Sequence, residues 1–222
     1  MKTLTIIPAR GGSKRLPGKN LMELGSQTLL EHSIAFAKAN SSYMDAIVVS
    51  TDDEAIAKVA ESHGVAVVMR PAVLASDTST TVEALKHVLE QPDYPEVETL
   101  ILLQPTNPLR PSSLLEDAME TWNSHPLDTL FTCSRMTHKF GSIKNNQFHP
   151  ENYRYGQRSQ DLKPLFYENG LLYICSAKSI KKGIMIDENH YAMVVDHEYA
   201  SIDIDNQADL DYARYIWQRD NS

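Results

Sequence analysis

The sequence predicts an α/β domain built on a mainly parallel sheet with helices on both faces. Three observations predict it. Short β-branched or leucine-rich runs alternate with helical patterns along the chain. The runs have the continuous apolar character of strands buried on both faces. A glycine-rich, cationic loop follows the first of them, at the sheet end where such folds hold their ligands. A length of 222 residues fits one such domain, so residues 1–222 are read as a single unit.

The strand candidates are residues 4–7, 46–49, 65–69, 100–103 and 130–132, all read as buried parallel strands. Between them, Leu30, Ile34 and Ala37 share one helical face, as do Ile56, Val59 and Ala60, and then Val82, Leu85, Val88 and Leu89. A further helix carries Leu114, Leu115, Ala118, Met119 and Trp122, and the last carries Leu210, Ala213, Ile216 and Trp217. Thr80 precedes Glu83, and Ser113 precedes Glu116, at the spacing of a capping box. Strand character returns at residues 171–175 and 191–195, and residues 201–205 lead into the final helix. Residues 135–164 break the pattern, being crowded with Asn, Gln, His, Lys and Arg. A structureless excursion of that length is uncommon inside a compact domain, so the segment is expected to be a lid or an arm that packs on another subunit. Phe140, Phe148, Tyr153 and Tyr155 are its candidate anchors.

Composition excludes several classes. With 42% apolar and 23% charged residues, 9 Gly and 11 Pro, the chain is neither disordered nor collagen-like. The net charge of −8 supplies no basic field for nucleic-acid phosphates, although Tyr153, Tyr155, Arg154 and Arg158 resemble a stacking surface in isolation. Cys133 and Cys175 lie in apolar runs without ligand spacing and read as buried free thiols of a reducing compartment. The apolar run before Arg10 is too short for a signal-peptide core and no stretch has the length of a membrane span, so a cytoplasmic protein is expected, with no membrane or nucleic-acid partner. The eight histidines show no metal-ligand spacing, and His138, His149 and His197 read as polar surface or inter-subunit groups.

The most informative stretch is Pro8-Ala9-Arg10-Gly11-Gly12-Ser13-Lys14-Arg15-Leu16-Pro17-Gly18-Lys19-Asn20, with four cations and three glycines between the first strand and the first helix. Glycines turn backbone N–H groups toward a ligand and the cations add charge, which together cradle an oligophosphate. The Walker A spacing fails, because five residues separate Gly12 from Gly18 and Asn20 follows Lys19. No Gly-x-Gly-x-x-Gly can be read either. The competing structural reading is a solvated basic loop.

This opening, Pro-Ala-Arg-x-Gly-Ser-Lys and then Lys-Asn after four further residues, resembles the acylneuraminate cytidylyltransferases, also called CMP-sialic acid synthetases. Similar blocks follow in order: Val49-Ser50-Thr51-Asp52, Arg70-Pro71-Ala72 with Leu74-Ala75-Ser76-Asp77-Thr78, Leu103-Gln104-Pro105-Thr106-Asn107-Pro108-Leu109-Arg110, Asn169-Gly170 before Tyr173-Ile174, and Ser201-Ile202-Asp203-Ile204-Asp205. The resemblance implies a Rossmann-like fold of the nucleotide-diphospho-sugar transferase type, a homodimer with the 135–164 region exchanged at the interface, and a reaction in which a nonulosonic acid attacks CTP to give a CMP-sugar and pyrophosphate. N-acetylneuraminate is the first expectation for the sugar, legionaminic and pseudaminic acid are alternatives, and Kdo or a non-catalytic nucleotide-binding protein come after them.

By the same resemblance, Arg10 and Lys19 would be catalytic, facing the phosphates where charge develops. Gly11, Gly12, Ser13, Lys14, Asn20, Arg70 and Thr81 would join them in holding the nucleotide. Ser79 and Thr80 read equally well as helix caps. Gln104, Tyr167, Asn169, Tyr173 and Arg158 would lie on the sugar side, Gln104 having a turn role ahead of Pro105 as its bland reading. Asp203 and Asp205, two apart on an extended segment, point to one face, and the resemblance makes them a site for Mg²⁺, or for Mn²⁺ in its place; alone, such a pair reads as a solvated strand end. The chain departs from the pattern at Tyr167, where sialate-specific bacterial members carry an arginine. A neutral hydroxyl cannot replace a bidentate guanidinium, so Arg158 or Lys163 supplies the charge or the sugar differs.

Overall fold

The computed structural model describes residues 2–76 and 78–222; Met1, and Asp77 within the 74–78 block, lie outside the described residues. The strands are β1 (Thr3–Pro8), β2 (Glu23–Leu24), β3 (Gln27–Thr28), β4 (Ala46–Thr51), β5 (Ala66–Met69), β6 (Thr99–Leu102), β7 (Thr129–Met136), β8 (Gly141–Lys144), β9 (Gln147–Pro150), β10 (Leu165–Ser176) and β11 (His190–Val194). The helices are α1 (Leu29–Ala39), α2 (Glu54–Ser62), α3 (Thr81–Leu89), α4 (Leu114–Ser124), α5 (Ala177–Lys181) and α6 (Gln207–Asp220). Seven strands form one sheet in the order β11-β7-β10-β6-β1-β4-β5. Strand β10 runs antiparallel to both its neighbours, and the other pairings within this sheet are parallel.

Alternation along the central strands sends side chains to two cores. Ile7, Val49, Ile101, Leu130 and Ile174 pack with α1, α2 and α4 on one face. Leu4, Ile6, Val48, Leu100, Leu102 and Tyr173 pack with α3 and α5 on the other. Burying one such side chain contributes roughly 1.5–3 kcal/mol, so these two layers supply the stability and leave the chain ends of the strands for polar residues. A third cluster joins α6 to Leu24, Leu29, Ile202 and Ile204. The expectation of buried strands fails at the edge, because Ala66 and Met69 of β5 are exposed where the ladder has no further neighbour. No helix among the described residues is long and apolar enough to cross a membrane.

Within 135–164 the chain is more regular than its composition suggests. Arg135 and Met136 end β7 and pair with Phe166 and Leu165, so β7 and β10 run past the core as a two-stranded ribbon. Beyond it, β8 and β9 form a hairpin whose turn residues Asn145 and Asn146 both have positive φ, 51° and 61°. Two consecutive left-handed residues make the tight turn that suits strand twist, and asparagine tolerates that conformation.

Helix starts correct one expectation. Thr80 and Glu83 do form a capping box on α3, and Thr28–Glu31 and Asn206–Asp209 form two more on α1 and α6. Ser113 does not cap α4: its backbone is already helical at φ −80° and ψ −7°, and its hydroxyl donates to Asp117 Oδ2 at 3.1 Å. The turn from Pro111, with Leu114 N–H donating to the Pro111 carbonyl at 3.1 Å, runs straight into the helix and moves its start upstream. Thr28→Ala is therefore expected to cost about 1 kcal/mol and Ser113→Ala less than about 0.5 kcal/mol in urea denaturation; equal losses would contradict the assignment.

Candidate active site

At the carboxyl ends of β1, β5 and β6 a cleft of about 330 Å³ is lined by Pro8, Arg10, Lys19, Asn20, Arg70, Ser79, Thr80, Thr81, Ala84, Gln104, Pro105, Thr106, Asp203 and Asp205. A second hollow of about 290 Å³, lined by Arg10, Ser13, Lys14, Arg15, Lys19 and Asp205, adjoins it through Arg10, Lys19 and Asp205. The glycine-rich loop forms the wall between the two.

The loop is held from three sides. Gly11 donates its N–H to Asp52 Oδ1 at 3.1 Å, and a Cβ on Gly11 would come within 2.5 Å of Asp53 Oδ2, so only glycine lets the backbone lie against the start of α2. Asn20, buried, donates from Nδ2 to the Arg10 carbonyl at 2.8 Å and ties the two ends of the loop together. Gly18 bends the chain at φ +67° just before Lys19. The Lys19 side chain is only 13% exposed, and its ammonium donates to Asp205 Oδ1 and to the Ile204 carbonyl, both at 3.0 Å. Arg15 reaches the other carboxylate oxygen of Asp205 at 2.7 Å. Arg10 donates to the Ser76 carbonyl at 3.2 Å.

Arg70 donates from one terminal nitrogen to the Ser50 carbonyl at 3.1 Å, while its buried Nε has no hydrogen-bond partner. Burial lowers its pKa, with Asp52 opposing and the Arg10 cation adding to the shift. The guanidinium thus brings its charge to the cleft wall with one inward donor unused. Thr80 spends its hydroxyl on the α3 cap, and Ser79 donates to the Val73 carbonyl at 2.9 Å, which leaves Thr81 as the hydroxyl of this helix start without a capping role.

Asp203 and Asp205 alternate with Ile202 and Ile204 along an extended segment, so both isoleucines are buried while both carboxylates face the cleft. The Asp203 side chain stays open to solvent at the cleft mouth, yet the protein packed around it pushes its pKa up, and the neighbouring Asp205 charge adds to that. Two repelling carboxylates on one wall form an oxygen donor set that fits a hard cation. Among the described residues no group of three or more His, Cys, Asp or Glu side chains gathers to hold a metal ion. In kind, the pair suits magnesium, which accepts one or two protein carboxylates and takes phosphate and water oxygens for the rest.

The residues assigned to the sugar side are dispersed. Gln104 lines the cleft. Asn169 is buried behind it, accepting from Thr132 Oγ1 at 2.6 Å and donating to Ser134 Oγ at 2.9 Å. Tyr173 sits in the sheet with its hydroxyl donating to Glu168 Oε2 at 3.0 Å, and burial followed by the Glu168 charge raises its pKa. Tyr167 is half-exposed on the outgoing ribbon opposite Ser134, outside the cleft lining. Arg158 lies in the arm, paired with Asp161 through two bonds of 2.7 and 3.0 Å. Arg15, Asp52, Thr106 and Asn107 contribute to the site without having been singled out. Arg15 was visible as one of the loop cations, whereas Asp52 and Asn107 act through contacts that only the folded chain makes.

Comparison with known proteins is in keeping with this geometry. The family model described as Cytidylyltransferase matches residues 4–214. An N-acylneuraminate cytidylyltransferase of Streptococcus agalactiae serotype III is 35% identical over 95% of this chain and 52% of its own length, so the chain spans about half of that relative. A pseudaminic acid cytidylyltransferase of Campylobacter jejuni is 31% identical over 98% of this chain and 97% of its own. The solved structure of a CMP:2-keto-3-deoxy-manno-octonic acid synthetase complexed with CTP shares the fold at a TM-score of 0.72, covering 99% of this chain and 100% of that one at 17% identity. With the match running from the first strand into the last helix, the chain belongs to the cytidylyltransferase family.

Proposed function

We propose that this protein transfers CMP from CTP to a nonulosonic acid, N-acetylneuraminate first, with legionaminic or pseudaminic acid as alternatives. The observation that carries this reading is the cationic glycine loop facing the Asp203/Asp205 pair across one cleft, in a chain of this family. The anomeric hydroxyl oxygen of the sugar forms a bond to the α-phosphorus while the bond from that phosphorus to the oxygen bridging to the β-phosphate breaks; that electron pair leaves with pyrophosphate and the hydroxyl proton passes to solvent water. Arg10, Lys14 and the loop through Gly11, Gly12 and Ser13 hold the phosphates, and Lys19 answers the charge that grows on the leaving group. Asn20 keeps the loop closed, Arg70 and Thr81 serve the nucleoside end, and Gln104 serves the sugar with Asn169 and Tyr173 behind it. Asp203 and Asp205 would hold Mg²⁺, or Mn²⁺ in its place, which when bound neutralises phosphate charge.

We further propose a homodimer of cytoplasmic location. Exposed Leu165, Phe166 and Tyr167 on the ribbon, with Phe140 and Phe148 on the hairpin, support a partner surface there, from which Tyr167 and Arg158 would reach the neighbour's sugar. The free, buried Cys133 and Cys175 suit a reducing compartment.

Pyrophosphate release from the four nucleoside triphosphates against a panel of nonulosonic acids and Kdo tests the reaction; release only with CTP and one nonulosonic acid is expected, and CTP binding without turnover would overturn it. Chelation with EDTA is expected to abolish turnover, and Asp203→Asn or Asp205→Asn to lower it by about 10² or more without unfolding; full activity in EDTA would remove the metal from the scheme. Lys19→Ala is expected to cost about 10²–10³ in kcat and less in the CTP dissociation constant, and a raised KM at unchanged kcat would make Lys19 a ground-state ligand only. Deleting residues 138–160 is expected to yield a monomer, by light scattering, that binds CTP but has lost sugar turnover. An intact protein that is monomeric and fully active would make the segment a lid within one chain.

A further inference from the structure

The carboxylate pair stands on a segment that the sheet does not hold. Residues 202–205 belong to no strand or helix. Burial of Ile202 and Ile204 fixes the apolar side of the segment, but a side-chain contact slides more freely than a hydrogen bond. Its backbone is tied at five points: Ile202 N–H donates to the Tyr199 carbonyl at 3.1 Å, the Ile202 carbonyl accepts from Asn107 Nδ2 at 2.9 Å, Ile204 N–H donates to the Thr106 carbonyl at 2.8 Å, the Ile204 carbonyl accepts from Lys19, and Asp205 N–H donates to Asp209 Oδ2 at 2.9 Å. Two of the five ties come from adjacent residues on the loop after β6, Thr106 and Asn107.

Asn107 is 1% exposed and does not line the cleft. Its Nδ2 donates to the Ile202 carbonyl and also to the Asn169 carbonyl at 2.9 Å, so both amide hydrogens are used. Its Oδ1 accepts from the Thr106 hydroxyl at 3.0 Å, and that hydroxyl also lies against the Asp203 carboxylate. Gly170, at φ +76°, packs so closely that a Cβ there would stand 2.7 Å from Asn107 Oδ1 and 3.1 Å from Gln104 Oε1. One buried amide thus sets the spacing between the carboxylate segment, the kink in β10 and the loop that carries Gln104.

We propose that Asn107 is the positioning residue of the Asp203/Asp205 pair: by bridging the carbonyls of Ile202 and Asn169 it aims both carboxylates at one cation in register with Gln104. The inference rests on the cytidylyl-transfer reading and on the metal within it. Removing the amide takes their donor from the Ile202 and Asn169 carbonyls and loosens the segment that carries both carboxylates.

The test compares Asn107→Ala with Val88→Ala, a cavity variant in the core layer of α3 and α5 that also lowers stability and lines neither hollow. Mn²⁺ binding with CTP present is followed by water-proton relaxation, which separates protein-held from CTP-held metal. CTP binding in EDTA, kcat, KM and the thermal midpoint are measured alongside. Asn107→Ala is expected to weaken Mn²⁺ binding and lower kcat by about 10-fold or more, the range seen when partners of metal ligands are removed, with CTP affinity in EDTA little changed. Val88→Ala is expected to lose thermal stability alone. Should Asn107→Ala fail to fold, Asn107→Ser, whose hydroxyl still serves one carbonyl, is expected to give an intermediate loss of Mn²⁺ affinity. Equal Mn²⁺ affinity in the Asn107 and Val88 variants would overturn the positioning role while leaving the metal in place. An unaltered protein that holds no Mn²⁺ and works in EDTA would overturn the metal reading and this inference with it.

Discussion

A parallel strand covered on both faces has no place for a charged side chain along its length, and the chemistry of this molecule is arranged around that constraint. Between Leu4 and Ile7, Val48 and Val49, and Leu100 and Leu102, the inward positions are apolar or small hydroxyls. Charge and amides begin only where the ladders end: Arg10 beyond β1, Arg70 beyond β5, Gln104 beyond β6. Since these strands run the same way, their ends meet on one edge. The antiparallel β10 joins them from its middle, where the pairing register shifts between Glu168 and Tyr173 and Gly170 bends the backbone against Gln104 and Asn107.

Concentrating cations on that edge has a cost, which the fold offsets with specific partners. Asp205 sits between Lys19 and Arg15 and neutralises part of the loop. With Asp205 31% and Arg15 72% exposed, solvent screens much of this attraction, and its value is chiefly geometric. It sets the loop against the carboxylate segment across a chain separation of almost the whole sequence. Arg110 shows the opposite case. Its guanidinium is buried and held by the carbonyls of Leu171 and Gln104, the Ser33 hydroxyl and the face of Phe36, and burial pushes its pKa down to about 9. It serves as a brace for the Gln104 loop from behind.

Much of the site was legible because its residues are local in sequence. The loop from Arg10 to Asn20 and the alternation from Ile202 to Asp205 each carry their meaning within a dozen residues, and both reach the cleft. The residues expected on the sugar side were less legible: Tyr167 and Arg158 lie on the ribbon and arm, outside the cleft lining. Their distance from it follows from β7 and β10 continuing past the core, which the polar composition of 135–164 did not reveal. The Ser113 cap failed for a related reason, since Pro111 starts the turn earlier than the capping spacing indicates.

The sequence by itself determined the α/β class, the strand and helix faces, the cationic glycine-rich loop and the paired aspartates, because each depends on periodicity or on neighbours in the chain. The tertiary structure alone decided that β10 enters the sheet antiparallel, that Asp205 answers Lys19 and Arg15, and that Asn107 ties Asn169 to Ile202. These contacts join positions far apart in the chain, and an amide or carboxylate side chain carries no local mark of the carbonyl or cation that folding will bring to it.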